Sequence, residues 1–394
     1  MIYVIILFLL ALAVYLQTMS QKKGSILFII ASVGLGLMSG LRYGSGSDFF
    51  PYLSYYNNTP PHIGEAIAQT KSHMNIGYRI YMSIFRILGA NSDIFIFCTS
   101  ILVMTMFVYV IYKNSKYKML SLLVFYGIYY SIYLNSVLRQ GIALAIFFIA
   151  FYTFLKRGEV LKYCICIAIG FLFHESILIT LILPIIQLIY KKTFYNKSFN
   201  TILCLASLVM FVTKFDRVLI KFAAIIKITI PYEASTFNTL GITLRIVSIA
   251  FIYYIYINCD DNDLTDFDRF QIYSYFIGIL IYFTISHVPI FSRFIEYFSA
   301  LEVIIYANLI YHVKSKFTKV TVAFICTLIV SSICIKDITS FSKEVQHKSE
   351  KLLEYPYVTI FNKKDIFDYI NIEDRYIPKE FKRNDLTDEI YIQK

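Results

Sequence analysis

The sequence predicts an all-α polytopic membrane protein with about twelve transmembrane helices and additional external interfacial helices. Three observations carry that expectation. The 394 residues are 58% hydrophobic and only 16% charged, whereas a soluble chain carries about 25% charged residues. The apolar residues fall in long runs of spanning length, separated by short polar breaks. Those breaks alternate between lysine-rich and lysine-poor, which is how orientation across a bilayer is encoded.

In chain order the expected spans are 1–17, 25–41, 92–112, 119–134, 138–155, 160–173, 176–190, 199–213, 239–257, 270–286, 294–311 and 318–335. Residues 1–17 lack a basic n-region and an Ala-x-Ala site, so they are expected to remain as an uncleaved first span. The breaks Lys22-Lys23, Lys113/Lys116/Lys118, Lys156-Arg157/Lys162, Lys191-Lys192/Lys197 and Lys314/Lys316/Lys319 share one side, which the positive-inside rule makes cytoplasmic. The acidic Asp260-Asp261-Asn262-Asp263 joins them, because carboxylates weigh little in orientation. The N-terminus, segment 42–91, the turns at 135–139, 174–176 and 287–293, segment 214–238 and the tail are then external.

Two external stretches read as helices lying in the interface. Arg79 and Arg86 are seven residues apart on one helical face, so 75–90 is expected to be amphipathic rather than spanning. Counting it as a span would invert every later loop. Lys214, Arg217 and Lys221 give 214–230 the same character. The chain therefore divides into a transmembrane domain at 1–335 and a polar external tail at 336–394, read as a small cap over the outer face.

The net charge of +11 resides mostly in short loops, so it serves topology and does not call for nucleic acid. The seven cysteines lie in or beside apolar runs and read as small core residues; Cys164-Ile165-Cys166 is too closely spaced for a structural disulfide or metal knuckle. Abundant Ile, Tyr, Phe, Lys and Asn without Trp points to an AT-rich, bacterial coding sequence.

Ionisable groups at membrane depth are costly and mark function, and several converge on the external side. Arg42 ends a span and precedes Gly44-Ser45-Gly46, whose glycines let the backbone turn so that Arg42 and Asp48 can face one pocket. Arg139 sits at a tight turn with Asn135 and Gln140, three polar groups that can face one aqueous space. The hairpin 158–190 has 33 residues, where about 40 would cross twice comfortably. Its turn residue His174 should therefore lie below the outer surface, beside a cavity, because turn backbone at that depth must be buried in protein or line one. It also titrates near neutral pH and can act as a general base. Arg293 and Glu296 are three apart, close enough to pair, either structurally or to poise Arg293 for a pyrophosphate. Asp48 and Glu296 join His174 as candidate catalytic groups; Arg245 and Glu302, inside spans, are further candidates. No Walker loop, Gly-x-Ser-x-Gly, His-Glu-x-x-His or external Asp-x-Asp is present. Phosphate chemistry here is thus expected to rely on arginine, with no metal or other cofactor.

In order, Arg42-Tyr43-x-x-Gly46-x-Asp48-Phe49-x-x-Tyr52, Asn135-x-x-x-Arg139-Gln140, Phe173-His174-x-Ser176 and Arg293-x-x-x-Tyr297-Phe298 resemble the EpsG branch of Wzy-type polysaccharide polymerases. Tyr355-Pro356-Tyr357 adds to the resemblance, and Phe49 stands where tyrosine is often found. The resemblance implies a C-type membrane glycosyltransferase in the bacterial cytoplasmic membrane, active at its outer face. It would join oligosaccharide units carried on undecaprenyl pyrophosphate, for O-antigen, capsule or exopolysaccharide. On that resemblance Arg139 and Arg293 stabilise the leaving pyrophosphate, and Arg42 holds sugar or phosphate. His174, or else Asp48, takes the acceptor proton. Membrane lipid and a chain-length regulator are the other implied partners. Two rival functions are a flippase or transporter of the lipid-linked oligosaccharide and a membrane acyltransferase modifying polysaccharide. The first is expected to show internal repeats, which the chain lacks. The second is expected to present a histidine to the cytoplasmic side, where the loops carry mainly lysines.

Overall fold

The computed structural model describes residues 2–20, 24–46, 48–69, 74–193, 197–213, 215, 239–285, 289–344 and 357–365. These are almost entirely helical, as long apolar runs must be where no water is present to satisfy backbone N–H groups. Nearly all of the expected interfacial helix at 214–230 and most of the polar tail lie outside the described residues.

Among the described residues, seven helical runs are long and apolar enough to cross a membrane: Ile2–Ser20, Ser92–Asn114, Lys118–Ser136, Leu138–Arg157, Leu240–Asn258, Arg293–His312 and Lys316–Thr339. Four further apolar helices, Ser25–Leu41, Val160–Phe171, Glu175–Ile189 and Lys197–Val212, are shorter. Helix length therefore supports a polytopic all-α membrane protein, with seven of the twelve expected crossings at full span length.

The first two helices, α1 (Ile2–Ser20) and α2 (Ser25–Leu41), lead into a two-residue strand β1 (Arg42–Tyr43). Three short helices follow: α3 (Phe49–Asn57), α4 (Ile63–Ala68) and α5 (Ile76–Ile87). The last occupies the stretch expected to be interfacial and is amphipathic. Its Arg79, however, is buried rather than presented outward. The guanidinium donates to the carbonyls of Ala66 (2.9 Å), Ile67 (3.1 Å) and Gln69 (2.6 Å), closing the otherwise open end of α4. Arg86 lies over the Tyr56 ring, 5.8 Å from its centroid.

The centre of the bundle is a helix that changes pitch. It starts as α7 (Lys118–Val124), after α6 (Ser92–Asn114), and continues as a π-helix over Phe125–Ser136. The Tyr126 and Tyr130 hydroxyls reach backbone carbonyls of Tyr3 and Leu35, each at 2.8 Å, and Tyr129 reaches the Glu302 carboxylate at 2.6 Å. The next helix, α8 (Leu138–Ile149), runs through a π turn at Ala150–Phe154 to Arg157. Then come α9 (Val160–Phe171), the 3-10 turn Glu175–Leu181, α10 (Ile182–Thr193) and α11 (Lys197–Val212).

After the described part resumes, α12 (Thr239–Asn258) and α13 (Asp266–Ile285) precede a two-part run. The single span expected at 294–311 is one helical run in which a tightened turn at Ala300-Leu301 separates α14 (Pro289–Ser299) from α15 (Glu302–His312). Glu302 follows that turn directly. The final helix α16 (Lys316–Glu344) passes the boundary expected at 335, so Lys336 is helical and ion-paired with Asp337. Residues 357–365 return to the bundle: β2 (Val358–Thr359) pairs antiparallel with β1, and the Tyr357 hydroxyl donates to the Met38 carbonyl at 2.7 Å.

Candidate functional site

At one end of the bundle, segments distant in sequence meet: β1, the foot of the π-helix, the start of α8, the turn after α9 and the start of α14. Two glycines allow the approach. Gly46 has φ of +114°, and a Cβ there would lie 1.9 Å from the Asn135 carbonyl oxygen. Gly77 donates its N–H to the Leu172 carbonyl at 2.8 Å, so α5 closes directly over the turn that carries His174.

Arg42 is almost fully buried and fully used. Its Nε donates to the Ser45 carbonyl (3.1 Å), Nη1 to Ser100 Oγ (2.9 Å) and the Ser39 carbonyl, and Nη2 to the Asn135 carbonyl (3.2 Å). Asn135 Oδ1 in turn accepts from Ser39 Oγ at 3.0 Å. These two candidates are brought together, but as a brace that ties α2 and β1 to the foot of the π-helix. The glycine-flanked stretch wraps the guanidinium instead of opening it to a pocket.

Arg139, half-buried, stands differently. Its Nη1 donates to Asn75 Oδ1 at 2.9 Å, and its guanidinium hydrogen-bonds the Tyr52 hydroxyl. The Asp48 carboxylate is also within electrostatic reach of Tyr52. Asp48 thus joins the Arg139 group rather than that of Arg42. Gln140, one residue on, points the other way and donates to the Arg293 carbonyl at 2.8 Å. That bond anchors the first turns of α14 against α8 and presents Arg293, which is exposed, at the same end.

His174 lies between these two arginines. Its Nδ1 is 2.7 Å from Ser176 Oγ, which is 3.0 Å from the Tyr297 hydroxyl. Burial, then the positive charges of Arg139 and Arg293, hold the imidazole below its usual range, at about 4. It is therefore neutral across physiological pH. Two tautomers fit the contact with Ser176 Oγ, and the longer Ser176 N–H to Nδ1 contact at 3.4 Å fits only the one with Nδ1 as acceptor. When Nδ1–H donates to Ser176 Oγ, the Nε2 lone pair is left to accept a proton. When Ser176 donates to Nδ1, Nε2 is a donor instead.

Two expectations are corrected by the geometry. Arg293 and Glu296 form no ion pair; Glu296 turns inward, where the Tyr133 hydroxyl meets its carboxylate. Arg245 is likewise placed in the bundle interior, 2.7 Å from Glu302 Oε1. Glu302 is fully buried and also receives Tyr129 (2.6 Å), Tyr275 (3.3 Å) and Ser248 (3.5 Å). This second polar centre is a closed ion pair with hydroxyls around it.

Sequence reasoning missed Asn75, Tyr52, Ser176 and Tyr297 as site residues. Three of them stand inside the recognised motifs, at Asp48-x-x-x-Tyr52, His174-x-Ser176 and Arg293-x-x-x-Tyr297, so the spacing was a usable signal. Asn75 had none, since only the fold brings it to Arg139.

No curated protein and no solved structure matches the chain. The EpsG family model does, over residues 25–357, a stretch that contains every group in both polar centres. With most of its length matched, this polytopic chain belongs to the EpsG family, a Wzy-type polymerase-like family.

Proposed function

We propose that this protein polymerises oligosaccharide repeat units linked to undecaprenyl pyrophosphate, at the outer face of the bacterial cytoplasmic membrane. The observation that carries this reading is the convergence of Arg139 and Arg293 on a neutral His174, from three separate segments of chain. In the reaction, an acceptor hydroxyl oxygen forms a bond to the anomeric carbon of the donor chain. The bond from that carbon to the pyrophosphate oxygen breaks, and undecaprenyl pyrophosphate leaves with the electron pair. Arg139 and Arg293 stabilise the charge that gathers on the phosphate oxygens, as preorganised donors do most effectively. His174 Nε2 takes the hydroxyl proton in the tautomer whose Nδ1–H donates to Ser176 Oγ, which gives up the long Ser176 N–H contact to Nδ1; Asp48 is the second choice for that role. Gln140, Asn135 and Arg42 act as positioning residues.

The test is a clean deletion, followed by gel analysis of the extracted glycan. Single repeat units without a ladder, restored to a ladder by the wild-type gene, support a polymerase. A normal ladder lacking a substituent would instead point to a modifying enzyme. Lipid-linked units trapped on the cytoplasmic side would point to a flippase.

The low proton affinity of His174 has its own consequence. A base must be neutral to accept a proton, and this imidazole is neutral down to about 4. An ordinary histidine would produce an acid limb near 6.5. The rate of ladder formation in reconstituted membranes is therefore expected to hold between about pH 8 and pH 5, the limb appearing only near 4. A limb near 6.5 would contradict the buried, arginine-flanked placement.

A further inference from the structure

The opposite end of the bundle holds a large cavity that the proposed reaction does not use. It measures about 970 Å³ and lies between the ends of α6, α8, α13 and α15, where the lysine-rich breaks gather. Four cations line it: Lys113, Lys116, Lys156 and Arg157, all exposed. Among the described residues none of the four is in an ion pair. Lys156 donates to Asn114 Oδ1 at 2.9 Å and sits 5.2 Å from the Phe267 ring centroid, while Lys116 lies over Tyr311.

Three carboxylates share the lining, Asp263, Asp266 and Asp268. Asp266 pairs with Arg269 at 3.4 Å. Asp268 Oδ2 accepts from the Thr265 N–H and hydroxyl, at 3.1 and 2.6 Å, and Oδ1 from Asn308 at 3.5 Å. Those hydrogen bonds fix Asp268 without cancelling its charge, which Lys156 and His312 both feel, and Asp263 lies on the wall near His312. Four cations thus face three carboxylates, one of them paired with Arg269, so the lining keeps a positive balance. Orientation alone requires lysines on this side, but it requires neither a cavity nor their arrangement around one.

We propose that this cavity binds a phosphate group, at the membrane face opposite the candidate active site. Its size suits a headgroup or small phosphorylated molecule, and basic recesses between helices on the cytoplasmic side are favourable places for anionic lipid headgroups. Lys113, Lys116 and Arg157 supply the charge, and Lys156 is held in place by Asn114 and Phe267. Asp263 and the side-chain amide of Gln187 are left to accept from hydroxyl or amine groups of the same ligand.

The experiment uses the full chain in nanodiscs of phosphatidylcholine, with thermal stability as the readout. One arm adds phosphatidylglycerol to the nanodisc. The other titrates inorganic phosphate against chloride at matched ionic strength. Wild type is expected to be stabilised in at least one arm. Stabilisation by the lipid alone identifies a headgroup, and stabilisation by phosphate in neutral nanodiscs identifies a soluble ligand. The triple variant Lys113→Gln/Lys116→Gln/Arg157→Gln, altered only at exposed positions, should weaken the response at least ~10-fold. Lys113→Arg/Lys116→Arg/Arg157→Lys should retain it, as should Arg139→Gln/Arg293→Gln, which removes the charges of the other end. The proposal is overturned if wild type responds to neither anion, if the neutralised triple variant responds like wild type, or if the charge-conserving variant loses the response. None of these outcomes depends on polymer formation.

Discussion

Cells carrying Arg293→Ala, or Arg139→Ala, are expected to produce single repeat units in place of the polymer ladder, although the protein is still made and inserted. Removing one preorganised donor from a developing anion typically costs about 10²–10³ in rate, enough to empty a ladder on a gel. The two variants differ in what else they disturb. Arg293 is exposed, and its backbone carbonyl, not its side chain, is what Gln140 holds. Its truncation should leave the melting temperature unchanged within a degree or so. Arg139 also binds Asn75 and Tyr52, so its loss should loosen the docking of α5 and lower stability modestly. Arg293→Lys keeps the charge but loses the bidentate fork, and should retain a shortened ladder. Full ladders from both alanine variants, shown folded, would remove the arginines from the reaction.

The largest effect on stability is expected inside the bundle, from Glu302→Ala. That change leaves the Arg245 guanidinium without its carboxylate in an apolar interior, and strips the Tyr129, Tyr275 and Ser248 hydroxyls of their common acceptor. Breaking one side of a buried pair costs roughly 3–5 kcal/mol, a large part of the total stability of a typical protein. Replacing both partners with apolar residues, as in Arg245→Met/Glu302→Leu, removes the uncompensated charge and should recover much of that loss. Thermal unfolding in detergent checks both variants. A single variant as stable as wild type would mean the pair contributes nothing; a polymer-negative double variant that unfolds normally would return Arg245 to the substrate.

The membrane class and the clustering of motifs were legible in the sequence because both depend on local signals. Apolar run length and lysine placement are one-dimensional, and the four motifs each sit where a run ends. Arg42, Arg245 and Arg293 look alike in one dimension, each an arginine at or within an apolar run. What separates them is distant in the chain: Arg42 is closed by Ser100 and Asn135, Arg245 by Glu302, and Arg293 by nothing of the kind among the described residues. A guanidinium facing a ligand and one facing a bundle carry the same charge, so only three-dimensional packing sorts them. The 33-residue hairpin at 158–190 carries a different kind of signal, since its length bears on the depth at which its turn can lie. The tightened turn at Ala300-Leu301 left no trace, because neither residue is a helix breaker.

The pitch change at Phe125–Ser136 makes this segment sensitive to length in a way that its neighbours are not. Each residue of a π-helix bonds one position further along than in an α-helix, so the segment holds an extra residue that regular winding would not accommodate. Deleting one residue would let it relax to α-helix and rotate everything beyond by about 100°. The tyrosines would then miss Glu302 and the carbonyls of Tyr3 and Leu35, and Asn135 would turn away from the Arg42 brace. Among homologous chains, side-chain exchanges in this stretch should therefore be common relative to insertions and deletions, with its residue count acting as a ruler between the two ends of the bundle.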